Sequence, residues 1–281
     1  MQQPLRKLAI VAPSLIATRK RHQLAFTSIR SLRNCVGEDL PLYVVHDAPA
    51  KPRYLPRTVH ELLPAARWDR TAESIYFGPN TRLVRRAGSG SASALREAVQ
   101  LADLDSATHA FIHLDDHVYC PGVRKLLEYG VDALQRDADL LWVRFSGYPV
   151  IYNERKPLEV RENCVAFDTV NLNPTRRDEY TLWWSSLDAE IIRGRYWPVA
   201  MWFCIYRLPV LAELLDRAIL AGARHLAHVE LHFRKEAGFE YLRTAYPNGR
   251  FGYVNMQYGG IEMHRNRNWR HLLELPNQPL R

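Results

Sequence analysis

The chain has 281 residues, of which 47% are hydrophobic, and this excludes an unfolded or fibrous protein. Its longest apolar run, residues 198–206, falls well short of the roughly 20 residues needed to span a bilayer, so no transmembrane segment is expected. The net charge of +8 argues against cationic partners and favours nucleotide phosphates, nucleic acid or an acidic membrane surface.

Taken in chain order, residues 7–13 read as a buried strand. Residues 22–34 have helical periodicity through Leu24, Ile29 and Leu32. A second strand covers 40–46, reaches Asp47, and gives way to a turn at Ala48 and Pro49. Residues 50–80 are rich in proline and arginine and suggest no regular element. A short strand is expected at 81–84. The small-residue loop 88–93 opens a helix over 94–102. A strand at 109–114, a helix from Pro121 to Gln135 and a strand at 139–145 follow. Strand and helix alternate throughout, which predicts the α/β class, with a mostly parallel central sheet flanked by helices. Residues 147–200 are polar and aromatic, with Trp183-Trp184 and Tyr196-Trp197, and suit substrate-facing loops. Then come a strand near 199–206, helices near 209–221 and 227–237, and a last strand, a Gly259-Gly260 turn and a basic tail.

The basic residues fall in short clusters such as Arg19-Lys20-Arg21 and Arg85-Arg86, with no long basic arm. Arg6 and Lys7 precede an apolar stretch without a small-residue cleavage site after it, so a core strand is the better reading than a signal peptide. Cys35, Cys120, Cys164 and Cys204 have no paired spacing. Reduced thiols and a cytoplasmic setting are therefore expected, with room for peripheral contact at the inner membrane face.

The most informative stretch is 108–121. An apolar run ends in Asp115, Asp116 and His117, and Pro121 then starts a helix. In an α/β protein the carboxyl end of a strand is where ligands bind. Adjacent carboxylates repel, and a divalent cation with a taste for oxygen, Mn²⁺ or Mg²⁺, relieves the repulsion. The alternative is a solvated turn in which Asp116 caps the following helix.

The order of these pieces resembles that of a family-2-like glycosyltransferase of the A-type (GT-A) nucleotide-sugar fold. Leu8-Ala-Ile-Val-Ala-Pro13 resembles the first strand, with Pro13 at the nucleotide. Leu42-Tyr-Val-Val-His-Asp47 resembles the second strand, whose terminal acid faces the base. Residues 88–98 resemble the loop and helix ahead of the metal motif, and Leu114-Asp-Asp-His-Val-Tyr-Cys-Pro121 resembles that motif. Many members have a third acid where this chain has His117. The resemblance implies a single domain over 1–281, with a nucleotide-sugar half to about residue 146 and an acceptor and catalytic half beyond it. It implies that Asp115 contacts the ribose or the metal, that Asp116 ligates the metal, and that His117 is either a nitrogen ligand or a packing residue. It also implies a C-terminal histidine at the metal, which His264 suits, and arginines at the diphosphate, which Arg265 or Arg267 would supply. The donor would be a nucleoside-diphosphate sugar, most commonly of uridine. The acceptor would be a glycan, a lipid-linked glycan or, less readily, nucleic acid. Transfer would invert the sugar carbon.

A catalytic base is needed as well. Ala227-His-Val-Glu-Leu-His-Phe-Arg234 has the outline of the family's late helix, and Glu230 is the candidate. Its alternative is an i,i+4 ion pair with Arg234. Asp188, after the tryptophan pair, is the rival base. Two other classes stay open. His225, His228 and His232 have helical spacing for a zinc hydrolase, although Glu230 is misplaced for His-Glu-x-x-His. A non-catalytic binder of nucleic acid or membrane would use the basic surface alone.

Overall fold

Strand β1 (Leu8–Ser14) is buried at every residue. Such a strand belongs inside a sheet covered on both faces. It lies there in the computed structural model, which describes residues 4–15, 19–48, 75–76, 78–115, 117–119, 123–146, 182–186, 199–255 and 261–263. Its parallel partners are β2 (Leu42–Ala48) on one side and β4 (His109–Ile112) on the other. Beyond β2 lies β3 (Thr81–Ala87), also parallel. Beyond β4 come β8 (Cys204–Arg207), β6 (Leu140–Ser146), β9 (Arg250–Asn255) and β7 (Leu182–Ser186). The order is β3-β2-β1-β4-β8-β6-β9-β7 in an eight-stranded sheet. Only β8 and β7 run against the rest. The α/β class and the mostly parallel, helix-flanked sheet expected from the sequence are thus present.

Two apolar clusters follow from the two-residue period of the strands. Ala9, Val11, Tyr43, Val45, Ala110 and Ile112 face one way, toward α2 (Ser91–Leu104), α4 (Leu208–Leu220), α5 (Leu226–Arg234) and α6 (Glu236–Ala245). Leu8, Ile10, Leu42, Val44 and Phe111 face the other way, toward α1 (Arg19–Val36) and α3 (Val123–Arg136). Helix α3 carries Gly130 where a side chain would come within 2.9 Å of Ile205 and 3.2 Å of the Phe145 ring, so the glycine sets how closely the helix lies on the sheet. Three neighbouring strands are tied by an aromatic ladder. Trp142 on β6 stacks on Tyr206 of β8 at 5.5 Å and on Phe251 of β9 at 5.4 Å.

Several boundaries differ from the sequence expectation. Helix α2 begins at Ser91, because small residues that suit a loop also suit a helix packed tightly on a sheet. The stretch after Asp116 is a short strand, β5 (His117–Tyr119), paired antiparallel with β10 (Ile261–Met263). Three-residue strands leave almost no periodic signal. The strand expected over 199–206 starts only at Cys204. The helix expected over 227–237 ends at Arg234, and α6 starts anew after Lys235, whose extended backbone (ψ 152°) separates the two. Within 147–200, which has no strand in the sequence reading, Leu182–Ser186 is the edge strand β7.

Candidate active site

Asp115 lies where β1 and β4 both end. It is buried, and its carboxylate accepts the Leu15 N–H at 3.3 Å and the Arg21 guanidinium at 3.0 Å. A buried carboxylate at a strand end draws positive charge, and here Arg21 from the first turn of α1 supplies it. Helix α1 also fixes the turn itself. The Ser28 hydroxyl is placed against the carbonyls of Leu114, at 3.1 Å, and of His117, and the Tyr119 N–H donates to Ser31 Oγ at 3.0 Å. His113 Nδ1 lies 2.6 Å from the Tyr119 hydroxyl. Tyr76 is fully buried and hydrogen-bonds Ser14 Oγ at 2.8 Å; burial and the nearby Asp115 charge raise its phenol well above the ordinary value.

Of the two roles open to His117, the described geometry is that of packing. The side chain is wholly buried, and its ring lies 4.3 Å from that of Phe203. Burial lowers both His113 and His117 to about 3, so each stays neutral near pH 7.

Asp47 does more than end β2. Its carboxylate accepts the N–H groups of Ser89 at 2.9 Å and Gly90 at 2.8 Å, and the Ser89 hydroxyl at 3.3 Å. It therefore anchors the loop that opens α2. Gly90 has φ +89°, and a Cβ there would lie 2.3 Å from the Arg224 carbonyl oxygen, so that loop passes tightly against the start of α5. Pro13 is buried in β1 beside Val45 of β2 and has no N–H to offer a ligand.

The loop from Val199 to Phe203 brings the second half to the first. Phe203 stacks on His117, and Trp202 meets Phe203 edge-on at 5.0 Å. The Met201 N–H donates to Glu230 Oε1 at 2.7 Å. Phe203 adopts φ 55°, which is costly for a bulky side chain and is the sort of strain found at working sites. Glu230 is thus buried on α5 and turned to this loop, and its charge interactions are with Arg144 and the loop rather than with the exposed Arg234. Burial raises its carboxyl above the ordinary value, against the opposing pull of the Met201 amide, the Arg144 charge and a hydrogen bond from the Trp202 side chain. A buried carboxylate with a raised pKa is equipped to take a proton.

Arg144 has no place in the sequence reading. It is 3% exposed, its guanidinium lies 4.2 Å over the Trp202 ring, and neither its Nε nor its Nη1 has a hydrogen-bond partner. The signal for it is faint: one arginine inside an otherwise apolar strand, Leu140–Ser146.

Asp116, Asp188, His264, Arg265 and Arg267 lie outside the described residues. Among the described residues no group of three or more His, Cys, Asp or Glu is placed to hold a metal. The zinc-hydrolase alternative does not gather its ligands. His225 and His228 are exposed, with rings 5.2 Å apart, and His225 caps α5 instead of sharing its face, whereas Glu230 turns inward. No described helix is long and apolar enough to cross a membrane.

No family model matches the chain, and no curated protein matches it. Solved structures do. One is S. aureus TarS, at TM-score 0.46 and 12% identity over 98% of this chain, which spans 40% of that one. A TarS fragment, residues 1–349, aligns at TM-score 0.48 and 14% identity over 96% of this chain and 64% of its own length. The 4-diphosphocytidyl-2C-methyl-D-erythritol synthase of Anaerococcus prevotii aligns at TM-score 0.48 and 8% identity, over 98% of this chain and 99% of its own. Such likeness is loose and says nothing of activity.

Proposed function

We propose that the protein is a glycosyltransferase that moves a sugar from a nucleoside-diphosphate sugar to an acceptor hydroxyl. The observation that carries the reading is the Val199–Phe203 loop, which ties Glu230 to the Asp115–His117 turn through Met201, Trp202 and Phe203. The carboxylate at the sheet's ligand-binding end and the buried carboxylate of raised pKa serve one site in this reading. In this reading residues 1–281 form one domain, and the donor nucleotide lies over β1 and β2, against the loop that Asp47 anchors.

Glu230 acts as the base. Its carboxylate accepts hydrogen bonds from the Met201 amide and the Trp202 side chain, which orient it toward the acceptor hydroxyl. As the acceptor oxygen bonds to the anomeric carbon, the bond from that carbon to the diphosphate breaks, and the hydroxyl proton passes to Glu230. Attack from the face opposite the diphosphate inverts the sugar carbon. A positioned base of this kind contributes about 10²–10⁴ in rate. Asp188 is the alternative base.

The donor set suits a hard divalent cation. Asp115 is the one proposed ligand among the described residues, and its carboxylate pairs with Arg21. Asp115, Asp116 and His264 would hold Mn²⁺ or Mg²⁺. When bound, such an ion supplies neutralising charge to the leaving diphosphate. Arg265 and Arg267 would add to it. A uridine donor, a glycan or lipid-linked glycan acceptor, and a cytoplasmic place with peripheral contact at the inner membrane face complete the proposal.

A panel of nucleoside-diphosphate sugars, screened for thermal stabilisation with and without Mn²⁺, tests it. One member should raise the melting temperature in a concentration-dependent way, and more strongly with the metal. A panel in which no nucleotide sugar stabilises the fold counts against transferase action and for a plain basic binder.

A further inference from the structure

Among the described residues the ion pairs are mostly at the surface, as for Arg124 with Asp39 and Arg96 with Asp216. Arg144 is different. It stands on β6, two residues beyond Trp142 on the same face of the sheet, toward the carboxyl end of the strand. Cys204 of β8 is its register partner on one side and Tyr253 of β9 on the other. Its guanidinium carbon lies 4.2 Å from the centre of the Trp202 ring, and the Nε and Nη1 donors have no hydrogen-bond partner. Among the described residues no carboxylate pairs with it. Glu230 feels its charge, but that carboxylate is hydrogen-bonded by the Met201 amide and the Trp202 side chain and makes no ion pair with Arg144. Cys204 offers no charge either, because burial raises its thiol to about 12.

A buried cation without a hydrogen-bonded counter-ion costs several kcal/mol, and a hydrophobic side chain of similar size would serve the fold better. A buried guanidinium with unsatisfied N–H donors beside an aromatic ring can receive an oxyanion through charge-assisted hydrogen bonds. The cost is recovered when such a group arrives.

We propose that Arg144, braced by Trp202, is the receptor for an oxyanion of the substrate, a phosphate or carboxylate, bound next to Glu230. This deepens the transferase reading, since it says that a molecule reaching the base carries negative charge. The oxyanion has two possible sources, the diphosphate of the donor or an acidic group of the acceptor. The positive net charge of the chain draws either one.

The test uses the full-length protein in metal-free buffer with chelator, so that a cation at the Asp115 turn plays no part. Inorganic phosphate, pyrophosphate, acetate and UDP are titrated into the parent and into Arg144→Met, with binding followed by calorimetry and by melting temperature. Phosphate, pyrophosphate or acetate should bind the parent and bind Arg144→Met at least about tenfold more weakly, the loss expected for one charge-assisted contact. Without ligand, Arg144→Met should melt no lower than the parent, because it removes a buried unpaired charge. Equal binding by the two proteins, no binding of any probe to the parent, or a lower melting temperature in folded, unliganded Arg144→Met each overturns the proposal. Should Arg144→Met fail to fold, Arg144→Lys decides: weaker phosphate binding in a folded protein supports the role, and unchanged binding overturns it. Competition between UDP and phosphate assigns the oxyanion to the donor, and simultaneous binding assigns it to the acceptor. None of these readings uses sugar transfer, so failure of the transferase reading and failure of this one are separable.

Discussion

Glu230 shows how one buried carboxylate ties stability to chemistry. Its carboxyl is held above the ordinary value of 4.5, so the native state keeps a proton that the unfolded chain releases. The associated stability is fully present below pH 4.5 and is lost as pH rises through the raised value. Glu230→Gln cannot ionise. It should match the parent in acid and melt higher at neutral pH, as read by thermal melts from about pH 4 to pH 8. The same variant should keep nucleotide affinity and lose at least about a hundredfold in transfer. Activity of the parent should rise with pH through the raised value, because the base must be ionised to act. A Glu230→Gln protein with parent turnover would shift the base to Asp188. At this scale Asp115 was legible, since a carboxylate after an apolar run marks a strand end. Arg144 was not, for a lone arginine in a strand gives no hint of whether its donors find partners.

At the scale of elements, the site depends on clamps that the sequence scarcely marks. Ser28 is fully buried on α1 and holds the turn after β4 through two carbonyls. Ser28→Ala should cost about 1–3 kcal/mol in chemical denaturation, because buried acceptors lose their donor. It should also weaken nucleotide binding with metal present, since the turn would lose its anchor. Unchanged stability would mean that the carbonyls find water. Asp47 joins β2 to α2 in the same manner. The sequence alone suggests a residue that serves the nucleotide. The structure gives its carboxylate to the Ser89 and Gly90 amides. Asp47→Ala is therefore expected to lose about 1–3 kcal/mol of stability as well as nucleotide affinity, with Asp47→Asn keeping part of both. Equal folding stability in Asp47→Ala would return it to a purely ligand-facing role.

For the whole molecule, the sheet order decides what meets what. Strand β8 lies between β4 and β6, and the loop ahead of it reaches both the Asp115 turn and Arg144. Short β10 pairs with β5 beside the Asp115 turn. If the metal site forms there, Asp116→Ala should abolish Mn²⁺-dependent binding of a nucleoside diphosphate in calorimetry, and Asp116→Glu should keep some of it. Equal affinity in the alanine variant would leave Asp116 as a helix cap.

The sequence by itself determined the α/β class, the central strands and the flanking helices, because long apolar periods encode which face of each element is buried. It also located Asp115 at a strand end and Glu230 on a late helix. Only the tertiary structure decided that Glu230 turns inward to the Met201 amide, that His117 packs on Phe203, and that Arg144 is buried with open donors. The physical reason is range. Periodicity and capping act within a few residues, whereas these three facts depend on contacts between segments 29 to 86 residues apart, which no local pattern records.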